Sequence, residues 1–187
     1  MLDSHATWEE YRSELALTLG FVTEKMIDSL TNLVFEVSQE GGFIYIVGNG
    51  GSASIAQHAI CDFTKGASGK NGKIKSIDLT SVATITAYAN DSDYSEIYAS
   101  QINTICSSKD LVILVSSSGN SPNIISAAKT AQSLNIRTFA LVGFEAPRVC
   151  EYVNDYIWVK STNYGIVEDV HMSILHSVSQ KLRLQLK

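Results

Sequence analysis

Two short loops and a scatter of histidines and carboxylates carry the residues that could do chemistry. Ser116-Ser117-Ser118-Gly119-Asn120-Ser121 sets four hydroxyls and a glycine just before Pro122, a residue suited to the first turn of a helix. Free backbone N–H groups and the helix dipole at such a point favour an anion, and several hydroxyls suit the acceptor oxygens of a phosphate. The plainer reading is a serine-rich turn with Ser121 as helix cap. Gly48-Asn49-Gly50-Gly51-Ser52 follows another apolar run in the same way. It reads as a second polar rim or as a flexible turn. Neither loop has the spacing of a P-loop or of the dinucleotide-binding glycine fingerprint, which argues against nucleotide cofactors. Together the loops can grip both ends of one small phosphorylated molecule.

His58 and Asp62 are four apart and share a helix face. Glu168, His171 and His176 lie near the other end of the chain. Glu168 and His176, eight residues apart, differ by about 80° around a helix and approach one site from adjacent turns. Each pair offers nitrogen and oxygen ligands for a metal, or a general acid and base, or ordinary pairing on a helix surface. Cys61 is expected as a buried thiol and Trp8 and Trp158 as packing residues. Tyr88, Tyr94 and Tyr98 flank Asn90-Asp91 and read as core, with lining of a site as the alternative.

Alternating strands and helices must position these groups. Residues 8–40 carry apolar residues at three- and four-residue spacing (Leu15, Leu19, Val22, Met26, Leu30, Leu33, Val34, Val37) and predict one or two helices packing on the body and on a partner chain. Phe43–Val47 and Leu111–Val115 read as buried parallel strands. Further strands are expected at 74–79, 138–142 and 156–159. Helices are expected at 53–64, 81–89, 94–106, 122–134 and 166–186, with a loop over 65–73 around Gly66, Gly69 and Gly72. The pattern predicts a single α/β domain over 1–187, a three-layer sandwich with a five-stranded parallel sheet. In such sheets ligands bind at the carboxyl ends of the strands, where the two loops stand.

Composition narrows the partners. Of 187 residues, 18% are charged and 45% hydrophobic, and mean hydropathy is +0.07, which excludes disorder and suggests surface covered by other subunits. A net charge of −5 with scattered Lys and Arg argues against nucleic acid. Three separated cysteines (Cys61, Cys106, Cys150) form neither a disulfide framework nor a zinc knuckle and predict cytoplasmic thiols. The start Met1–Ala6 lacks an export pattern, and no apolar stretch approaches the ~20 residues that span a bilayer, so no membrane partner is expected.

Taken in order, the Gly48–Ser52 loop with Gln57-His58, Asn90-Asp91, the Ser116–Ser121 loop, and Glu168-Asp169-Val170-His171 with His176 resemble the sugar isomerase (SIS) fold, a flavodoxin-like fold with an N-terminal helix. Within it the match is to the phosphoheptose isomerase family, over nearly the whole chain. The resemblance implies a homotetramer with sites at subunit interfaces and a bound divalent metal, zinc. It implies conversion of sedoheptulose 7-phosphate to glycero-manno-heptose 7-phosphate for cell-envelope heptose synthesis. Carried over by position, the phosphate site is Ser116, Ser117 (where Thr is usual), Ser118 and Ser121. Asn49, Gly50, Gly51, Ser52, Asn90, Asp91 and Glu168 complete substrate binding. The metal ligands are His58, Asp62, Glu168 and His176. Asp62 stands as catalytic base, and His176 shuttles the proton.

Three positions depart from that pattern: Asp62 replaces Glu, Glu168 replaces Gln, and Gly66 stands where an Arg usually follows the ligand helix, with Lys65 an imperfect substitute. Asp62 is one methylene shorter, which matters for a base that must come within ~2.6–3.2 Å of its proton. Glu168 adds a negative charge, which tightens a divalent ion. The departures leave an alternative: a non-catalytic phosphosugar-binding member that engages a protein partner, as the family branch binding the replication initiator does.

Overall fold

The computed structural model describes residues 5–68 and 73–187. Met1–Ser4, and Gly69 and Gly72 of the expected loop, lie outside the described residues. Among the described residues no helix is long and apolar enough to cross a membrane.

Helices α1 (Trp8–Leu19) and α2 (Glu24–Gln39) open the chain. A capping box between Thr7 and Glu10 starts α1, and Thr23 caps α2. Then follow β1 (Phe43–Gly48), α3 (Gly51–Cys61), β2 (Lys75–Asp78), α4 (Val82–Asp91), α5 (Ala99–Ile105), β3 (Leu111–Ser116), α6 (Pro122–Ser133), β4 (Arg137–Val142), β5 (Asp155–Trp158) and α7 (Tyr164–Gln185). The five strands form one parallel sheet in the order β2-β1-β3-β4-β5.

The expected five-stranded parallel α/β architecture is therefore present. Alternation along the strands explains it. Ile44, Ile46, Leu111, Ile113 and Val115 join a cluster with α2, α3 and α7 on one face, including Leu30, Val34, Val170 and Val178. Tyr45, Val47, Val112 and Leu114 join a second cluster with Ile97, Ile102, Ile124 and Ala128 on the other face. Strands buried on both faces read as continuous apolar runs.

Local differences follow from capping and hydrogen bonding. The helix expected over 53–64 begins at Gly51, because Gly50 (φ 53°) turns the chain there. It then continues as a π-helical turn over Asp62–Ala67, inside the span expected as helix end and loop. The helix expected from Tyr94 to Cys106 is split: a 3₁₀ turn at Tyr94–Glu96, capped by Asp93, precedes α5. In α1 only Thr18 is buried, while Trp8 and Leu17, and Phe21 just beyond the helix, are exposed. Trp8 and Trp158, both expected as packing residues, are exposed: Trp8 stacks on Tyr11 alone among the ring contacts, and Trp158 Nε1 donates to the Phe144 carbonyl.

Candidate active site

The sheet order reverses direction between β1 and β3, and ligands bind at such switch points beyond the strand ends. The β1–α3 and β3–α6 loops, which hold the two Gly/Ser segments, leave the sheet there side by side. They are tied together by side chains. Asn49 Nδ2 donates to Asn123 Oδ1 at 2.9 Å, and Asn123 Nδ2 donates to Asn49 Oδ1 at 2.8 Å. Tyr94 OH adds a donor to Asn49 Oδ1 at 3.3 Å, and the buried Tyr98 OH bonds the Gly48 carbonyl. The Asn49 amide is thus engaged within the protein. Asn123 escaped the sequence reading. Its one signal was a polar residue one position inside a helix start, ahead of the apolar Ile124-Ile125. Tyr94, expected as core, is exposed and reaches the loop.

A cavity of about 230 Å³ opens between the loops, lined by Asn49, Gly50, Gly51, Ser52, Ser116, Ser117, Ser118, Ser121, Tyr164 and Glu168. Its serines keep donors in hand. Ser116 Oγ accepts from Gly119 N at 3.0 Å and Ser118 Oγ from Asn120 N at 3.2 Å, which leaves their O–H groups to donate elsewhere. Ser117 Oγ is buried with no partner, and Ser121 caps α6 by position without a side-chain bond. Hydroxyls without partners at a helix N-terminus are what an oxyanion requires. Gly119 makes the turn possible: it takes φ 62°, and a Cβ there would meet Pro147 Cβ at 2.4 Å.

Glu168 enters this cavity from α7. A Cβ on Gly51 would meet its two carboxylate oxygens at 2.4 and 2.5 Å, so the carboxylate rests on the first residue of α3. Burial, and then the neighbouring Asp169, push its pKa up. Asn90 and Asp91 are not brought here. They lie at the end of α4, joined by an Asn90 Nδ2–Asp91 Oδ1 bond of 2.8 Å, and Asp91 lines a separate depression with Tyr88 and Ser100.

One turn or more along the same two helices, His58, Asp62 and His176 converge. His176 Nδ1 lies 2.8 Å and His58 Nε2 3.6 Å from Asp62 Oδ2, and the two imidazole rings meet edge to face at 5.0 Å. One ligand atom from each falls within 4.8 Å of the others, a nitrogen, nitrogen and oxygen set suited to zinc. Among the described residues this is the group that could hold a metal, and Glu168 is not part of it. Cys61, expected as buried, is exposed beside the group.

His171 faces elsewhere. It is fully buried, neither ring nitrogen makes a hydrogen bond of normal geometry, and burial pulls its pKa down to about 4, opposed only by the nearby Val142 carbonyl. It is a neutral core histidine in α7.

Comparison with known proteins identifies the family and the fold. The family model described as SIS domain matches residues 10–143. A phosphoheptose isomerase of Thermodesulfovibrio yellowstonii is 32% identical, over 81% of this chain and 76% of its own length. One from Helicobacter pylori is 30% identical, over 82% of this chain and 80% of its own. The solved structure of a phosphoheptose isomerase from Francisella tularensis superposes with a TM-score of 0.88 at 26% identity, covering 95% of each chain. The chain belongs to the SIS-domain family and, within it, to the group of the phosphoheptose isomerases.

Proposed function

We propose that this protein is an aldose–ketose isomerase acting on a phosphosugar, with sedoheptulose 7-phosphate and its aldose partner as the pair it interconverts. One observation carries the reading: α3 and α7 each reach from the serine cavity to the His58–Asp62–His176 group. Ser52 and His58 are about 9 Å apart along α3, and Glu168 and His176 about 12 Å along α7. A sugar phosphate anchored in the cavity thereby extends its carbonyl end toward the carboxylate and imidazoles.

In this reading the O–H groups of Ser116, Ser117, Ser118 and Ser121 and the N-terminus of α6 hold the phosphate. Asp62 takes the proton from the carbon beside the carbonyl. Both histidine contacts use its Oδ2, which leaves Oδ1 outside those two contacts. His176, hydrogen-bonded to Asp62, moves the proton between the two oxygens of the enediol. Held by His58, Asp62 and His176, a divalent ion such as zinc would supply Lewis-acid polarisation of the carbonyl. The exposed Trp8, Leu17, Phe21, Val82 and Leu184 favour assembly with further copies, a homotetramer in the family pattern, and the composition suits the cytoplasm. The test is incubation with sedoheptulose 7-phosphate and zinc, followed by NMR of the sugar. Aldose formation is expected. No turnover of any C5–C7 ketose phosphate by the metal-loaded protein would overturn the assignment and favour a phosphosugar-binding role.

A further inference from the structure

The carboxylate of Asp62 stands at the junction of α3 and a π-helical turn, Asp62–Ala67. A π turn bonds i to i+5, which widens the ladder and displaces its carbonyls from their usual partners. Here side chains take those carbonyls. Thr64 Oγ1 donates to Ile60 O at 2.6 Å and Ser68 Oγ to Phe63 O at 3.0 Å, both from the same segment. The other two donors come from α7: Ser179 Oγ to Asp62 O at 3.2 Å and Arg183 Nε to Gly66 O at 2.6 Å.

The spacing matches on both sides. Ser179 and Arg183 are four apart on α7, and the carbonyls they bind, Asp62 and Gly66, are four apart on the turn. Ser179 is buried, and among the described residues no carboxylate pairs with Arg183 to compete with the bond from its Nε to Gly66 O. Gly66 leaves the room this needs: a Cβ there would come within 3.2 Å of Arg183 Nη2, 3.5 Å of Ser179 Oγ and 4.0 Å of Asp62 Cβ. The same helix presents His176 to the Asp62 carboxylate, three residues before Ser179.

We infer that Ser179 and Arg183 are positioning residues that clamp the π turn, and that this clamp aims the short Asp62 side chain at His176 and His58. The backbone carbonyls are gripped at both ends of the turn by the helix that carries the histidine, so carboxylate and imidazole are held in one frame. Without the clamp the turn is free to relax toward an α-helix, which shifts it against α7 and loosens the Asp62–His176 contact. The inference rests on the reading of Asp62 as the working carboxylate only for its consequence in catalysis. The geometry itself can be tested on the resting protein.

The experiment compares the parent with Arg183→Met, which keeps the apolar stem, Ser179→Ala, and Arg183→Lys, which restores one donor. Long-range ¹H–¹⁵N NMR of the metal-free protein reads the His176 tautomer. The parent should show the Nδ1–H form fixed by Asp62. Arg183→Met and Ser179→Ala should lose it, and Arg183→Lys should recover it in part. Cobalt(II) titration followed by absorption should show affinity falling about tenfold or more in the first two variants, as happens when groups supporting metal ligands are removed. An unchanged His176 tautomer in both folded variants, or a parent His176 in the Nε2–H form, overturns the proposal. Neither readout uses isomerase turnover, so failure of the functional assignment leaves the clamp separately decidable.

Discussion

Asn49 and Asn123 exchange two side-chain hydrogen bonds, at 2.9 and 2.8 Å, and so fix the spacing of the two loops that line the serine cavity. Asn123 is buried, and its loss strips Asn49 Nδ2 of its acceptor, while Tyr94 OH still donates to Asn49 Oδ1. Asn123→Ala should cost about 1–3 kcal/mol of stability. It should also weaken inorganic phosphate binding, read by calorimetry, more than Thr130→Ala at the far end of α6 does. Equal phosphate affinity in the two variants would show that the pair does not set the cavity.

Two glycines of the cavity separate backbone strain from side-chain crowding. Gly119→Ala puts a side chain at φ 62° and within 2.4 Å of Pro147 Cβ, and proline has no rotamer by which to retreat. A left-handed non-glycine residue and a forced contact together cost about 2–4 kcal/mol. Gly51→Ala has as its nearest contacts the movable end of Glu168. Urea unfolding should find it within about 0.5 kcal/mol of the parent, the range of surface substitutions. A Gly119→Ala protein as stable as Gly51→Ala would contradict the loop geometry.

Glu168 places a carboxylate inside the cavity assigned to a phosphate, with its pKa raised by burial and by Asp169. A raised carboxyl pKa means that the folded state keeps its proton longer than the unfolded chain. Its ionisation therefore disfavours the folded state once pH exceeds the unfolded value of about 4.3, and protonation removes that burden. Glu168→Gln should melt higher than the parent at pH 7, with the gain fading toward pH 4. Removing the charge should also strengthen phosphate binding at pH 7, since like charges at close range repel. Weaker phosphate binding by Glu168→Gln would instead assign the carboxylate a direct role in holding the ligand.

Much of this arrangement was legible in the sequence because it is local. The runs Phe43–Val47 and Leu111–Val115, each followed by a Gly/Ser loop and a helix pattern, define the strands, and the parallel sheet brings the two loops together. What spacing could not give is which helix faces meet. Glu168 and His176 share α7, yet one enters the serine cavity and the other the metal-capable group. The π turn at Asp62–Ala67 was equally hidden, since two of its carbonyls, Asp62 O and Gly66 O, take donors from Ser179 and Arg183 more than a hundred residues away. Asn123 looked like an ordinary helix residue, and its significance is the partner it finds across the switch point.

His171 supplies a pH dependence that can be traced to one side chain. Burial lowers its pKa to about 4, against about 6.5 in the unfolded chain. Between these values the unfolded state binds more protons than the folded one, so stability falls as pH drops from about 6.5 toward 4. Once the unfolded imidazole is charged and the folded one is not, the loss amounts to at most about 3 kcal/mol. Glu10 and Asp93, whose carboxyls are held low by hydrogen bonds to Thr7 and Ser95, add to acid instability, but at lower pH and from exposed positions. His171→Leu replaces a neutral buried ring with an apolar side chain and removes only the imidazole contribution. Denaturant unfolding at pH 4.5 and pH 7 should therefore show a smaller stability difference in His171→Leu than in the parent. A variant with the same difference would place the acid sensitivity elsewhere and show that His171 takes up its proton without unfolding.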